Sequence, residues 1–248
     1  MHSRPLRLLL LVPAILYVAA TPAQAESAIE PRPRDAAWVK RHEEFVAIAK
    51  QGGVDVLFLG DSITDFWRRD DKRSGGKKIW DQHFAPLKAA NFGISGDRTQ
   101  HVLWRLENGE LEGIAPKAVV LMIGTNNTGF ERDGKTVRNT PAEVVEGVTA
   151  IVKKLRTAQP QAKILLLGIF PRGEKPDHPQ RAQITEINAA IAKLGDRRTV
   201  HYLDIGARFL RADGVMPKEF MPDFLHPGEL GYEIWADAIK ARLTALLK

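Results

Sequence analysis

The stretch Val54-Asp55-Val56-Leu57-Phe58-Leu59-Gly60-Asp61-Ser62 decides the fold. Residues 54–59 form a short, nearly continuous aliphatic and β-branched run, which is typical of a strand buried on both faces. The glycine, aspartate and serine that follow indicate a turn from this strand into a helix. The stretch therefore predicts one strand of a parallel sheet, with Ser62 at its carboxyl end.

Similar apolar runs recur along the chain, with amphipathic helical patterns between them. The other predicted strands are residues 89–92, 118–123, 163–170 and 199–203, and the clearest helical patterns are 36–51, 142–158, 180–194 and 228–247. Strands that alternate with helices at this spacing predict an α/β fold, with helices on both faces of a five-stranded parallel sheet. No repeat or linker divides the pattern. We expect a lead-in and first helix at 26–53 and one domain at 54–248.

The composition excludes several classes of protein. The chain has 248 residues, is 44% apolar and contains no cysteine. This length suits one α/β domain with a buried core, and the aliphatic content is too high for a mainly disordered chain. Disulfides, thiolate nucleophiles and zinc–thiolate sites are excluded. The charges are spread along the chain, and no Walker loop, His-Glu-x-x-His or Gly-x-Gly-x-x-Gly motif occurs, so nucleic-acid, nucleotide and zinc binding lack support.

The first 25 residues have the pattern of a signal peptide. Arg4 and Arg7 precede an apolar run over residues 8–20, and Ala23-Gln24-Ala25 supplies the small residues before a cleavage site. A membrane anchor is the alternative, but the run is shorter than the roughly 20 residues that a span requires. We expect cleavage after Ala25 and a periplasmic or secreted protein. The net charge of +6 would then fall to +4, because two arginines and no acids are removed.

Two polar stretches, residues 68–78 and 128–140, are expected near the carboxyl ends of strands. Open α/β sheets build their binding sites at that edge. The first stretch is predicted to be a surface insertion, and the second is similar. Each is either part of a substrate entrance or an ordinary solvated loop.

Ser62 and His226 are the candidate nucleophile and base. Gly60-Asp61-Ser62 alone fits a helix N-cap better than a nucleophile. Asp223, however, lies three residues before His226, and this spacing lets its carboxylate accept the imidazole Nδ1 proton. Nε2 is then free to take a proton from a serine. An ordinary helix entry is the alternative interpretation of this second motif.

Candidate donors for an oxyanion follow the next two strands. Gly96 can present a backbone N–H without a Cβ in the way, and the side chain of Asn126 can donate from its amide. Each could also be a simple turn residue. The order of the serine, glycine, asparagine and Asp/His positions along one edge of the sheet favours an esterase site.

These blocks resemble those that define the SGNH (GDSL-type) hydrolases. They are Gly60-Asp61-Ser62, Gly96, Gly124-Thr125-Asn126-Asn127 and Asp223-x-x-His226, in that order. Further segments resemble the catalytic subunits of intracellular platelet-activating-factor acetylhydrolase within that family. They are residues 91–94, 97–111, 159–164 and 171–176. The resemblance covers the chain from about Val54 to its end. The signal peptide and the stretch 68–78 depart from that subgroup.

The resemblance implies a flavodoxin-like three-layer α/β/α fold and a serine esterase for short, above all acetyl, esters. It implies Ser62, Asp223 and His226 as the catalytic residues, and the Ser62 and Gly96 N–H groups with the Asn126 side chain as the oxyanion hole. No metal or organic cofactor is implied. The substrate would be an acetylated sugar or lipid, and a homodimer is possible. A lysophospholipase, an acyltransferase or a non-catalytic carbohydrate- or lipid-binding module are the alternatives.

Other polar and aromatic residues are expected to have structural roles. Asp61 should hold the turn before Ser62 by hydrogen bonding, and Trp104 should pack as part of a helix. His101 is interpreted as structural, since no carboxylate at a short spacing is expected to orient it. The remaining histidines are predicted to lie at or near the surface; they are His42, His83, His178 and His201.

Overall fold

The computed structural model describes residues 26–71, 74–131 and 133–248. The predicted signal peptide lies outside the described residues. In the part of the chain that is described, no helix is long and apolar enough to cross a membrane.

Five parallel strands form one sheet, which confirms the predicted architecture. They are β1 (Val56–Gly60), β2 (Ala89–Gly93), β3 (Ala118–Met122), β4 (Lys163–Leu167) and β5 (Val200–Leu203). Their order across the sheet is β2-β1-β3-β4-β5, and every neighbouring pair is parallel. This is the flavodoxin-like order, in which the chain leaves β1 toward one edge and later returns to its other side.

Helices cover both faces of the sheet. They are α1 (Ala36–Gln51), α2 (Ser62–Asp65), α3 (Lys77–His83), α4 (Thr99–Glu107), α5 (Pro141–Ala158), α6 (Pro179–Ile191) and α7 (Glu229–Leu246). Side chains alternate along each strand. Leu57 and Leu59 therefore pack against α1, α4, α5 and α6, whereas Val56 and Phe58 pack against α2, α3 and α7. The result is three layers with two hydrophobic cores, one on each face of the sheet. Helix α1 packs in the core that also contains α4, α5 and α6.

The fourth strand ends three residues before its predicted end. Residues 168–170 remain buried, but Asn188 of α6 takes over the pairing at Ile169. Its Oδ1 accepts from the Ile169 N–H at 2.8 Å, and its Nδ2 donates to the Ile169 carbonyl at 2.9 Å. A side-chain amide thus satisfies backbone groups that another strand would otherwise pair.

The stretch 68–78 is not simply a surface insertion, as the sequence predicted. Arg68 is half-buried and donates to the Asn91 and Gly93 carbonyls at 2.6 and 2.7 Å. A Cβ on Gly76 would lie 2.5 Å from the Trp67 ring and 2.6 Å from that of Tyr232. Apolar contacts and buried carbonyls therefore fix both ends of this stretch, which polar composition alone could not show.

The lead-in segment before α1 packs on the domain. The Ala28 carbonyl accepts from Thr99 Oγ1 at 2.7 Å, and the Glu26 carbonyl accepts from Asn139 Nδ2 at 2.9 Å. Ala28 is itself buried. The segment therefore lies against the start of α4, next to the carboxyl edge of the sheet.

Candidate active site

Ser62 lies at the crevice where the strand order reverses, directly after β1. Asp61 holds this turn as predicted, because its Oδ1 accepts from the Ile63 N–H at 3.0 Å. A Cβ on Gly60 would clash with Thr64 Oγ1 and the Met122 carbonyl, so only glycine leaves room here. Burial raises the pKa of Asp61 to about 7. The turn thus places the Ser62 hydroxyl at the amino end of α2.

A chain of hydrogen bonds connects Ser62 with His226 and Asp223. His226 Nε2 lies 2.9 Å from Ser62 Oγ, and His226 Nδ1 lies 2.6 Å from Asp223 Oδ2. The predicted candidate nucleophile and base are thus in contact, although 164 residues separate them. In this arrangement the imidazole can accept the hydroxyl proton while the carboxylate fixes its tautomer.

The loop that carries His226 is organised by Asp223. Asp223 Oδ1 accepts from the Leu225 and His226 N–H groups at 3.1 and 2.7 Å. Phe224 between them has φ = 59°, a left-handed conformation that is uncommon for a bulky residue and is found at functional sites. Burial acts to raise the pKa of Asp223, but the hydrogen bonds from the His226 side chain and backbone lower it to about 2. The carboxylate is therefore ionised and tightly bonded.

The loop after β2, which carries Gly96, is bonded to α2, the helix that begins at Ser62. Ser95 is held by Asp65, whose Oδ2 accepts from the Ser95 N–H at 3.0 Å and from its hydroxyl at 2.7 Å. Gly96 itself has φ = 82°. Within the described residues, the N–H groups of Ser62 and Gly96 donate no hydrogen bond. Both are available to a ligand oxygen.

Asn126 reaches the same loop from the turn after β3. One N–H of its side-chain amide donates to the Asp97 carbonyl at 2.9 Å, which leaves the second N–H available. The backbone carbonyl of Asn126 accepts a hydrogen bond from Arg138 at 3.1 Å. The structure thus joins Ser62, His226 and Asp223 by hydrogen bonds, and it places Gly96 and Asn126 together in the wall of one cavity.

Asp97 anchors this side of the crevice, and sequence reasoning missed its role. Its buried carboxylate accepts from Trp38 Nε1 at 2.6 Å and lies 3.3 Å from the Arg34 guanidinium and 3.0 Å from Arg105 Nε. Arg105 is also fully buried and pairs with Glu110. Burial raises the pKa of Asp97 to about 6, although Arg105 acts to lower it. No local signal reveals these partners, because Arg34 and Trp38 are about 60 residues away in the chain.

The sequence profile of the GDSL-like lipase/acylhydrolase family matches residues 58–234. The chain belongs to this family. It is 39% identical over 227 residues to the human platelet-activating factor acetylhydrolase IB subunit alpha1, with 91% of each chain covered. It is 42% identical over 214 residues to the rat alpha2 subunit, with 86% of each chain covered. The protein is thus a carboxylic ester hydrolase of the GDSL type.

Solved structures show the same fold at lower identity. A GDSL-like lipase from Bacteroides thetaiotaomicron aligns with a TM-score of 0.62 and 18% identity, covering 83% of this chain and 97% of the other. An acetyl xylan esterase aligns with a TM-score of 0.62 and 22% identity, covering 76% of this chain and 98% of the other. These alignments confirm the predicted flavodoxin-like three-layer architecture of this GDSL hydrolase.

A cavity of about 580 Å³ opens beside Gly96 and Asn126 in this GDSL hydrolase. Its wall includes Arg34 from the lead-in segment. The stretch 128–140 contributes Glu131 and Arg138, so this stretch lines the cavity beside two of the predicted site residues. Charged side chains make up much of its lining.

Among the described residues, no histidine other than His226 forms a hydrogen bond with Ser62. His101 Nδ1 accepts from the Arg98 N–H at 2.9 Å, so it caps α4 as a structural residue. Burial, with nearby arginines, lowers the pKa of His101 to about 3. Asp97 lies four residues before His101, but its Oδ1 is 3.9 Å from His101 Nδ1 and does not orient the ring. That distance is too long for a hydrogen bond.

His42 is buried, so its predicted place near the surface was wrong. Its Nε2 lies 2.9 Å from the Asn108 carbonyl, and its ring packs between those of Trp38 and Trp104. Trp104 therefore packs against another helix, as predicted. Within the described residues, no group of three or more His, Cys, Asp or Glu side chains is placed to hold a metal ion.

Proposed function

We propose that this GDSL hydrolase is a serine esterase for short-chain esters, above all acetyl esters, with Ser62 as nucleophile. The observation that carries the proposal is the pair of hydrogen bonds from Ser62 Oγ to His226 and from His226 to Asp223, at 2.9 and 2.6 Å. Gly96 and Asn126 supply the facing donors. No other serine of the crevice has a histidine partner in the part of the chain that is described.

The first step forms an acyl-enzyme. His226 Nε2 takes the Ser62 proton as Oγ attacks the ester carbonyl carbon, and the carbonyl electrons move to oxygen. The Ser62 and Gly96 N–H groups and the Asn126 amide stabilise that oxyanion. When the tetrahedral intermediate collapses, the C–O bond to the alcohol breaks, and His226 gives its proton to the departing alkoxide. Asp223 stabilises the imidazolium throughout.

The second step repeats this sequence with water. His226 removes a proton from water, the hydroxide attacks the acyl carbon, and the same donors hold the second oxyanion. Ser62 then leaves with the proton from His226, and the carboxylic acid is released. The chain's own residues supply every proton transfer in this scheme.

The preference for a short acyl group is supported by the relatives. Two of them are named as platelet-activating factor acetylhydrolase subunits, at 39 and 42% identity, and a structural neighbour is named as an acetyl xylan esterase. Acetyl is the acyl group common to these names. The polar cavity beside Gly96 also favours an alcohol with hydrogen-bonding groups.

Hydrolysis of p-nitrophenyl acetate, butyrate and octanoate tests this proposal. We expect the highest kcat/KM for acetate and no burst of p-nitrophenol with Ser62→Ala. A rate that rises toward octanoate would favour a lysophospholipase and contradict the acetyl preference. Faster product formation with added alcohol than with water alone would favour an acyltransferase. No turnover of any ester, with the wild type equal to Ser62→Ala, would contradict the esterase.

We also propose that the protein is exported, with cleavage after Ala25. The support is the sequence pattern of residues 1–25, which ends directly before the lead-in segment that packs on the domain. Expression of the full chain in a bacterial host, followed by fractionation and N-terminal sequencing, tests this. We expect a periplasmic or extracellular product that starts at Glu26. A cytoplasmic product that retains Met1 or His2 would contradict it.

Light scattering on the same product tests for the homodimer, which should have twice the mass of one chain.

A further inference from the structure

The loop that carries Gly96 is a tight turn between Ile94 and Asp97. The Asp97 N–H donates to the Ile94 carbonyl at 3.2 Å, so Ser95 and Gly96 occupy the two central positions. Gly96 has φ = 82°, whereas φ of Ser95 is negative. This combination defines a type II β-turn, which requires a positive φ at its third residue. The peptide group that joins Ser95 to Gly96 is therefore the central peptide of the turn.

The orientation of this central peptide decides where the Gly96 N–H points. In a trans peptide, the C=O and N–H groups point in opposite directions. A type I turn differs from a type II turn mainly by a rotation of the central peptide through roughly 180°, and glycine can adopt the φ that either type requires. A rotated peptide would present the Ser95 carbonyl oxygen where the Gly96 N–H now lies. That oxygen would repel an oxyanion, whereas the N–H stabilises it.

Arg34 binds the carbonyl end of the same peptide. Its Nη1 donates to the Ser95 carbonyl oxygen at 2.7 Å and to the Asp97 carboxylate at 3.3 Å. The guanidinium also lies against Gly96, since a Cβ built there would be 3.1 Å from both Nη atoms. Asp65 binds the N–H and hydroxyl of Ser95, which belong to neither end of the central peptide. Rotation of the peptide would break the charge-assisted bond to Arg34, so Arg34 favours the type II orientation.

The lead-in segment fixes Arg34 from both sides. Two residues before it, the Arg32 N–H donates to a backbone carbonyl of α4 at 3.2 Å. Directly after it, Asp35 caps α1, because its carboxylate accepts from the Trp38 N–H at 2.9 Å. The side chain of Arg34 is 30% exposed and forms part of the wall of the cavity of about 580 Å³. The backbone therefore delivers Arg34 to the turn after β2.

We propose that Arg34 is a positioning residue of the oxyanion hole, because it holds the Ser95–Gly96 peptide in the orientation that leaves the Gly96 N–H available to the oxyanion. This inference rests on the proposed function, since it takes that N–H as an oxyanion donor. The hydrogen bond from the cation to the Ser95 carbonyl also polarises the peptide, which makes its N–H a stronger donor. Arg34 itself transfers no proton.

Arg34→Ala tests this role through the separate effects on kcat and KM. For p-nitrophenyl acetate, kcat should fall by about 10- to 100-fold, because the donor acts on the transition state more than on the bound ester. KM should stay within about twofold of the wild type. The variant should fold, since Asp97 keeps Trp38 and Arg105 as partners. Arg34→Met keeps more of the apolar stem, and it should give the same result if Arg34→Ala does not fold.

A trifluoromethyl ketone inhibitor provides a readout that a merely structural role would not change. Ser62 Oγ forms a bond to the ketone carbon, the carbonyl electrons become an oxyanion, and the Ser62 proton stays on His226. The adduct thus resembles the tetrahedral intermediate. In Arg34→Ala, we expect the inhibition constant to rise by the same factor as kcat/KM falls. An unchanged inhibition constant would overturn the proposal.

Two matched variants control for charge and for the hydrogen bond. Arg32 lies in the same segment, but its side chain is 62% exposed and pairs with Glu26 at 3.1 Å. Arg32→Ala should therefore leave kcat, KM and the inhibition constant within about twofold of the wild type. Arg34→Lys restores a cation that can donate to the Ser95 carbonyl, so it should recover most of the lost kcat. No recovery would contradict the role of this hydrogen bond.

Trp38→Phe separates the bond to Ser95 from the contact with Asp97. It removes a donor to the Asp97 carboxylate without touching Ser95, so its loss of kcat should be smaller than that of Arg34→Ala.

Three further results would overturn the proposal. A raised KM with unchanged kcat would mean that Arg34 binds the substrate. Equal losses in Arg32→Ala and Arg34→Ala would mean that charge alone matters. Equal losses in Trp38→Phe and Arg34→Ala would mean that Arg34 acts through Asp97. Failure of the proposed function is distinct, because the wild type and Ser62→Ala would then behave alike.

Discussion

The two sides of the crevice at Ser62 are built in different ways. On the base side, Asp223 is 56% exposed at its side chain, and it bonds mainly to residues within three positions of itself. On the oxyanion side, the Asp97 carboxylate is fully buried, and it bonds to Trp38 and Arg34 from the start of the chain. The base side is therefore a local motif, whereas the oxyanion side depends on the packing of the whole fold.

This difference separates chemistry from positioning. A change on the base side should alter the reaction with little effect on folding, because an exposed loop tolerates the loss of one hydrogen bond. A change in the buried network should alter stability and reaction together, since an unsatisfied buried group is costly. The variants below test that distinction, from the largest expected effect to the smallest.

Ser62→Ala should have the largest effect. The nucleophile is lost, so kcat for p-nitrophenyl acetate should fall by about 10⁴-fold or more. The midpoint of thermal unfolding should stay close to that of the wild type, because the change removes only a small hydroxyl and its hydrogen bond to His226. Residual turnover within about tenfold of the wild type would show that Ser62 is not the nucleophile.

Asp223→Asn should lower kcat by about 10³- to 10⁴-fold at neutral pH. The amide would favour the wrong imidazole tautomer and could not stabilise the imidazolium. Asp213→Asn is the matched control, because Asp213 caps the Val215 N–H in a similar turn without a histidine partner. Steady-state kinetics of both variants measure the effect. Equal kcat values for the two would refute the role assigned to Asp223.

Asn126→Ala should lower kcat by about 10²- to 10³-fold, with a small change in KM. The loss of one oxyanion donor weakens binding of the transition state more than binding of the ester. The variant loses the hydrogen bond from Asn126 to the Asp97 carbonyl. The loop after β2 keeps its contacts with Asp65. A variant with normal kcat and a raised KM would indicate that Asn126 binds the substrate instead.

Much of this site follows from sequence because its signals are local. The Asp223-x-x-His226 spacing and the turn at Asp61 depend on neighbouring residues, and the structure places them as expected. Arg34 and Trp38 could not be assigned, because their contacts with Asp97 form only when α1 packs on the sheet. The same reason explains His42, which is polar in sequence but buried by two tryptophans.

Trp38→Phe should cost about 1–3 kcal/mol of stability and lower kcat several-fold. Part of the buried ring volume is lost, and the buried Asp97 carboxylate loses the donor at 2.6 Å. Trp104→Phe is the matched control, because Trp104 packs against the same rings without bonding to Asp97. Denaturant unfolding and kinetics of both variants measure the difference. Equal losses in the two would mean that packing alone, not the hydrogen bond, holds the loop.

The smallest expected effect is the contribution of Asp223 to stability against acid. Its pKa is about 2 in the folded protein against 3.8 ordinarily, so its stabilisation is present above about pH 4 and is lost as the pH falls toward 2. Since the side chain is half-exposed, we expect less than about 1 kcal/mol. Denaturant unfolding of the wild type and Asp223→Asn at about pH 5 and pH 2.5 measures it. A difference that grows toward low pH would contradict this sign.

Covalent labelling tests the central claim most directly. A fluorophosphonate ester reacts with an activated serine and remains attached, so peptide mass mapping identifies the nucleophile. We expect one adduct on Ser62, none in Ser62→Ala, and much slower labelling in His226→Gln. An adduct on another residue, or ester hydrolysis that persists after Ser62 is fully labelled, would contradict the assignment of Ser62 as the nucleophile.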